Sequence, residues 1–150
     1  MRMRAFAAMA CAAAALSLVG TGTGTATADA VNPGDYMIGD TVYFNAGPAQ
    51  CSIKSDGTTG CDIAPGIAKW LNIIPVTDLA IDVPFLPAHP TFGVFGHYGR
   101  ADANTLPQGD GYGSTITYAG ATCSGGGRGA IQCTAKGHSF NFGWSGTTTT

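Results

Sequence analysis

Glutamate is absent from the 150-residue chain, and charged residues of either sign make up only 11% of it. All nine acidic residues are aspartate, and leucine is scarce, whereas glycine occurs 23 times and threonine is abundant. Glutamate and leucine are strong helix formers, while threonine and the aromatic residues favour strands. The composition therefore predicts a fold built from sheet with little helix.

Basic residues are also few. Five of them and nine aspartates follow Ala28, which gives this part of the chain a net charge of −4. A weakly acidic surface with no basic stripe argues against nucleic acid and against anionic membranes as partners. Arg128 lies among the glycines of segment 125–129 and superficially resembles an RNA-binding RGG sequence, but a hairpin loop is the simpler interpretation.

A long apolar run of membrane length is lacking as well. Arg2 and Arg4 precede apolar residues 5–19, and the small residues 26–28 then form an A-x-A sequence. This order is typical of a removable signal peptide. The glycines and threonines of segment 20–27 end the run before the roughly 20 apolar residues that a transmembrane helix needs. We therefore predict cleavage after Ala28, or after Ala30, no stable membrane insertion afterwards, and a secreted protein of the medium or the cell envelope.

Cysteine is the chemically informative residue of the remaining chain. An even number of cysteines in an exported protein indicates disulfides, and four cysteines allow three connectivities. The spacing favours Cys51–Cys61 and Cys123–Cys133, because each pair is ten residues apart and encloses a turn signal. Residues 55–57 would form a three-residue loop with a type I turn and a G1 bulge. Each closed loop would stabilise the fold by about 3 kcal/mol.

A zinc site is the rival interpretation of the cysteines. Zinc sites use cysteines about two to four residues apart, or cysteines combined with close histidines. The observed spacing fits that pattern poorly, so we predict no metal and no other cofactor.

Short strands separated by frequent turns are expected along residues 29–146. The predicted strands cover 36–44 with a kink at residues 39–40, the hairpin 51–63, then 79–85 and 115–118, the hairpin arms 121–123 and 130–134, and a last strand at 140–144. Residues 67–71 are expected to form a helical turn or an irregular stretch, and the tail 147–150 to fray. Together these predict one mostly all-β domain, a small antiparallel barrel or sandwich with two disulfide-stapled hairpins.

Two stretches of the sequence resemble a known group of proteins. One is Q-C-S-I…G-C-D-I at 50–63, followed by Trp70; the other runs from Leu106 through C-S…G-A-I-Q-C at 123–133 to G-H-S-F at 137–140. Together they resemble small uncharacterised exported proteins of mycobacteria and related actinobacteria. This chain departs from that group by lacking cysteines in 64–122 and by having Ser139 where a glycine is usual. The resemblance implies export, disulfides and the fold, and it leaves function open.

Catalytic patterns are missing from the sequence. His89, His97 and His138 have no helical i, i+4 spacing, and no serine lies in a G-x-S-x-G elbow. Asp82, Asp102 and Asp110 could be nominated as the paired carboxyl groups of a glycosidase, but we interpret them as turn residues. We expect His138 to fix the end of a strand by hydrogen bonding, and we assign no catalytic residue.

A segment with glycine at every third position, 93–99, carries interleaved aromatic residues. Segment 92–99 and the loop 102–112 are the expected exposed surface of a non-enzymatic module that binds an envelope protein, a glycan or another envelope component. Two other hypotheses stay open: a small secreted hydrolase that uses His97 or His138, and a protease inhibitor that presents a disulfide-held loop. The residues predicted for the binding surface are Phe92, Phe95, His97, Tyr98 and Arg100.

Overall fold

Thirteen short strands make up most of the regular structure in the computed structural model, which describes residues 28–107 and 113–150. The signal-peptide expectation for residues 1–27 and the part of the predicted loop at 108–112 lie outside these ranges. The strands are β1 (Asp29–Ala30), β2 (Met37–Ile38), β3 (Thr41–Ala46), β4 (Ala49–Ile53), β5 (Thr59–Ile63), β6 (Ala68–Trp70), β7 (Ile74–Val76), β8 (Asp78–Ile81), β9 (Ser114–Tyr118), β10 (Ala121–Gly125), β11 (Ile131–Ala135), β12 (His138–Gly143) and β13 (Gly146–Thr149). Short 3-10 turns cover Pro33–Tyr36 and Gly127–Gly129.

The strands form two main sheets, which follow one another along the chain except for β1. The first sheet has the order β2-β3-β4-β5-β8 and is antiparallel throughout. The second has the order β1-β9-β10-β11-β12-β13 and is antiparallel except for β1, which pairs with β9 in parallel. Strands β6 and β7 form a separate two-stranded hairpin. The long connection 82–113 leads from the first sheet to the second.

One hydrophobic core lies between the two main sheets. β5 contacts β11 and β8 contacts β12, so the sheets face each other and are not closed into a barrel. Phe44 supplies a large side chain from the first sheet, and Phe140 and Phe142 supply two from the second, all fully buried. The predicted all-β fold is confirmed, with two packed sheets rather than the barrel alternative.

A disulfide joins the central hairpin of each main sheet. Cys51 lies directly opposite Cys61 and bonds to it, and Cys123 does the same with Cys133, as the spacing predicted. All four cysteines are fully buried. The first hairpin has the predicted three-residue loop, in which the Lys54 amide donates to the Thr58 carbonyl at 2.8 Å. Burial of both cystines makes them part of the core as well as covalent links.

The Asp56 side chain stabilises the turn of the first hairpin. Its carboxylate accepts hydrogen bonds from the Thr58 amide at 2.8 Å and from the Thr58 hydroxyl at 3.0 Å. The bond from the Thr58 amide is the main cause of a lowered pKa of Asp56. This aspartate is a turn residue, as its position before a glycine predicted.

Two of the predicted strand boundaries are wrong. Residues 36–44 form the two strands of a tight hairpin, β2 and β3, because Gly39 takes φ +66° and reverses the chain instead of kinking it. The strand predicted at 79–85 ends at Ile81, and residues on both of its faces are buried. Pro84 cannot donate a ladder hydrogen bond, which fits an end of the strand before it.

Residues predicted to be irregular or frayed also form strands. Residues 68–70 pair with β7, in which Pro75 is tolerated because the hairpin has free edges. The tail 147–150 pairs with β12, where the Thr150 amide donates to the Ser139 carbonyl at 2.9 Å. Threonine is a good strand residue, and the adjacent strand supplies the partners that the sequence alone did not reveal. The expected last strand, 140–144, is therefore followed by another.

Candidate functional site

The long connection 82–113 begins with a loop that one buried carboxylate holds in place. Asp78, in β8, is only 4% exposed. It accepts hydrogen bonds from the Thr91 amide at 2.7 Å, from the Thr91 hydroxyl, and from the Phe92 amide at 3.1 Å. The backbone of His89 also pairs with that of Ala80 in an isolated bridge. The segment around residues 89–92 is therefore fixed to the edge strand of the first sheet.

A second carboxylate fixes the other end of the same loop. Asp62, in β5, accepts from the Tyr98 amide at 3.2 Å and from the Gly99 amide at 3.0 Å, and His97 Nδ1 lies 3.3 Å from its Oδ2 atom. Segment 93–97 thus spans two anchored ends.

Tyr98 does not belong to an exposed surface. Tyr98 is 4% exposed, and its ring packs on Gly60, where an added Cβ would come within 2.4 Å of Tyr98 Cδ1. Burial, followed by the nearby carboxylate of Asp82, raises the pKa of Tyr98 to about 12. The prediction that Tyr98 is available to a ligand is therefore wrong, because a glycine in β5 leaves room for the ring.

Large apolar side chains between these anchors point into solvent. Phe92 is 66% exposed and Phe95 is 70% exposed, as predicted, and Val94 between them is 76% exposed. Phe85, which the sequence assigned to a strand, is 77% exposed. Solvent-exposed apolar residues grouped in this way are typical of interaction sites.

An apolar groove of about 290 Å³ lies beside this loop. We call it the loop groove; its lining residues are Trp70, Leu86, Pro87, His89, Pro90 and Phe92. Sequence reasoning missed Trp70 and Leu86 as members of the site. A usable signal was present: Leu86 lies among Pro84, Pro87 and Pro90, and an apolar residue in a proline-rich stretch that cannot enter a sheet interior is readily left at the surface.

The remaining predicted surface residues are exposed but already have partners. The His97 side chain is 86% exposed beside Asp62. Arg100 donates to both carboxylate oxygens of Asp102, at 2.9 and 2.8 Å, and its guanidinium lies 5.6 Å from the centre of the Tyr43 ring. Hydrogen bonding to Asp102 raises the pKa of Arg100, and the same bonds lower the pKa of Asp102.

The first half of the predicted loop 102–112 is held against β3. The Asn45 side-chain amide donates to the Ala103 carbonyl at 2.8 Å, and the Leu106 amide donates to the Asn45 carbonyl at 2.8 Å. Leu106 is fully buried. This half extends the first sheet and offers little free backbone to a ligand.

The histidines bind carbonyl and carboxylate groups. His138, at the start of β12, bonds through Nε2 to the Pro84 carbonyl at 3.1 Å, in keeping with the predicted role at a strand end. His89 bonds through Nδ1 to the Pro87 carbonyl at 3.0 Å, and its Nε2 faces Asp82 Oδ1 at 3.5 Å. Within residues 28–107 and 113–150, no histidine bonds to a serine hydroxyl, and no three histidine, cysteine or acidic side chains cluster as a metal site requires. The described contacts place His89 and His138 in structural roles at a loop and at a strand end.

Comparisons with known proteins give no relative from which a function could be transferred. The chain matches no protein-family model, and searches of the curated proteins and of the solved structures give no significant match. Among the described residues, none of the helical segments has the length and apolar character needed to cross a membrane.

Proposed function

We propose that the protein is exported and acts outside the cytoplasm as a non-enzymatic binding module of the cell envelope or the medium. Two buried cystines support an oxidising compartment, since disulfides persist there and are rare in the cytosol. The N-terminal sequence supports export by its charged, apolar and A-x-A order. The histidine contacts support a structural part for these side chains, since His89 and His138 bond to the carbonyls of Pro87 and Pro84.

The observation that carries the binding proposal is the pinned loop with its exposed apolar side chains. The Phe92 amide itself bonds to Asp78, and the exposed Val94 and Phe95 lie between the two anchored ends of the loop. Water-exposed apolar area of this kind is unfavourable and is relieved when a partner covers it. A loop fixed before binding loses little conformational entropy on binding.

We propose a protein as the partner that covers this loop. Protein interfaces are enriched in aromatic residues, which concentrate binding energy when a neighbouring pocket accepts a side chain from the other protein. The loop groove, at about 290 Å³, has room for one or two large apolar side chains. Segment 84–99 contains no lysine or arginine, which an anionic lipid surface would attract.

Site-specific photocrosslinking in the native host tests this proposal. Benzoylphenylalanine replaces Val94 in the full chain, and in a matched control it replaces Ile73, which is 78% exposed on the β6–β7 turn. The expected result is a discrete, protease-sensitive adduct from position 94 and not from position 73. The further change L86S/F92S, which alters the groove wall, should abolish it.

Three outcomes of the crosslinking would contradict the proposal. They are the absence of an adduct from position 94, equal adducts from both positions, and a protease-resistant lipid or glycan adduct. Export is tested separately by locating the protein and determining its N terminus; an intact chain that stays in the cytoplasm with reduced cysteines would refute that part.

A further inference from the structure

Two of the basic side chains have no partner within the described residues. Lys136 donates to the Asp82 carbonyl at 2.7 Å, Arg100 is bonded to Asp102, and the Lys54 ammonium lies 5.8 Å from the centre of the Tyr98 ring. By contrast, in residues 28–107 and 113–150 the side chains of Lys69 and Arg128 make neither a hydrogen bond nor an ion pair. Both residues are exposed.

Lys69 and Arg128 are far apart in sequence, but the fold brings them to the same cavity. The cavity has a volume of about 480 Å³, and within residues 28–107 and 113–150 no aspartate lines it. Trp144, in the turn between β12 and β13, lies at this cavity and is 85% exposed. Asn72, in the turn between β6 and β7, adds an amide side chain. We call this site the Trp144 pocket.

Close backbone contacts fix the turns that form the Trp144 pocket. The Lys69 amide donates to the Thr147 hydroxyl at 2.9 Å, which joins β6 to β13. A Cβ on Gly47 would lie 3.1 Å from the Cα of Gly129, so the β3–β4 turn and the β10–β11 turn are packed against each other. A cavity whose walls are held in this way can bind a ligand without a large rearrangement.

The conformation of Arg128 is costly for its residue type. Its φ is 60° and its ψ is 29°, the left-handed region that glycine adopts without steric cost. Glycines precede and follow it in the same turn. A glycine would meet the backbone requirement of this position, so the need for an arginine there is not explained by the fold.

We propose that the Trp144 pocket binds an acidic oligosaccharide. The indole of Trp144 offers a flat apolar face for the C–H side of a sugar ring. Lys69 and Arg128 would bind a carboxylate or phosphate group of the same sugar chain, and an arginine matches both groups well. Asn72 can bond to sugar hydroxyls through its amide.

The net charge of the protein favours an acidic sugar over nucleic acid as the ligand. The chain after Ala28 carries a net charge of −4, so a densely charged polyanion would be repelled by most of the surface. A sugar chain with isolated acidic groups needs only a local positive site. Single-stranded nucleic acids also stack on several aromatic side chains along a basic groove, whereas among the residues that the structure describes only Trp144 adds an aromatic ring to this cavity.

Tryptophan fluorescence provides a direct test on the full-length exported protein. Trp144 is far more accessible than the half-buried Trp70, so acrylamide quenching reports mainly on Trp144. A hyaluronan tetrasaccharide, with a carboxylate on every second sugar, and mannose 6-phosphate serve as carboxylate and phosphate probes, with maltotetraose as a neutral sugar and inorganic phosphate as a bare anion. We expect one of the acidic sugars to protect Trp144 saturably, with weaker protection at higher salt.

Matched variants separate the site from general electrostatics. Titration calorimetry should show affinity reduced about tenfold or more in K69Q/R128G and in W144S, as expected for lost charge-assisted contacts and stacking. K54Q/R100Q removes the same charge elsewhere and should bind as the parent does. R128G should unfold at nearly the parent temperature, because glycine relieves the left-handed conformation while adding entropy to the unfolded chain.

Several results would overturn this inference. They are no saturable binding of either acidic sugar, equal binding of maltotetraose, equal protection by inorganic phosphate alone, and equal loss of affinity in K54Q/R100Q. Because the described lining residues of the Trp144 pocket and of the loop groove do not overlap, these results would not contradict the proposal of a protein partner.

Discussion

Removal of either disulfide should destabilise the protein by about the same amount. Both bonds close loops with a sequence separation of 10, so the chain-entropy model gives about 3 kcal/mol for each. For a domain of this size that loss corresponds to a fall in melting temperature of roughly 10 °C. Removal of both should cost about 6 kcal/mol, which is comparable with the whole stability of many domains.

The variants C51A/C61A and C123A/C133A compare the two bonds. All four cysteines are fully buried and leave similar small cavities when changed to alanine, so packing losses should also be alike. Urea unfolding, followed by tryptophan fluorescence and by circular dichroism, should show each midpoint lowered by roughly 1–2 M, with a steeper slope because the unfolded chain without the cross-link is less compact.

The matched control for the disulfide variants is S52A, which changes a buried residue next to Cys51 without opening a loop. Its stability should fall by less than that of either cysteine variant. A loss below about 1 kcal/mol for one cysteine pair, or free thiols in the purified parent protein, would refute the argument that both loops are closed and contribute equally.

Three more perturbations test contacts described above. G60A should destabilise the protein by about 1–3 kcal/mol, measured by urea unfolding, because the added Cβ would meet the Tyr98 ring. In the control variant G126A the added Cβ meets only ordinary contacts. Equal effects of the two changes would contradict the packing of Tyr98 on Gly60. The pKa of Tyr98 is raised to about 12 in the folded protein, so its phenol becomes more acidic on unfolding, and the free energy of unfolding should fall as pH rises from about 10 towards 12. Y98F, which lacks the phenol, should lose less stability over that range. An identical pH dependence in Y98F would exclude Tyr98 as the cause. Deletion of 147–150 should lower the melting temperature, because β12 loses its neighbour and the Lys69 backbone amide loses its acceptor, the Thr147 hydroxyl. An unchanged melting curve would show that the tail contributes nothing.

Local chemistry made parts of this fold predictable from sequence. The Cys51–Cys61 hairpin follows from two strand segments around an Asp-Gly turn, and its register is set by the loop length. The second hairpin follows from the same spacing around a run of glycines. In both cases the deciding interactions join residues close together in the chain.

The errors arose where a distant residue decides the outcome. Tyr98, in the long connection, is buried because Gly60 in β5 leaves space for its ring. The threonine tail is ordered because β12 is adjacent, and nothing within the tail itself reports that partner. Strand β8 ends at Ile81 although apolar residues continue, and Phe85 is left in solvent.

Only part of the candidate site could be predicted, because some of its residues converge from distant parts of the chain. Phe92 and Phe95 are exposed because they lie in a glycine-rich loop, which sequence can reveal. The convergence of Lys69, Arg128 and Trp144 depends on how three turns meet, and their separation in sequence gives no sign of it.

The parallel pairing of β1 with β9 has a consequence for the order of folding. Asp29 and Ala30 lie at the start of the domain, yet their partners Ser114 and Thr115 come only after the whole first sheet has been made. Such a non-local contact forms late, since the loop it closes is long. The first sheet can assemble while the chain is still emerging, but the opening residues of the domain remain unpaired until its second half has arrived.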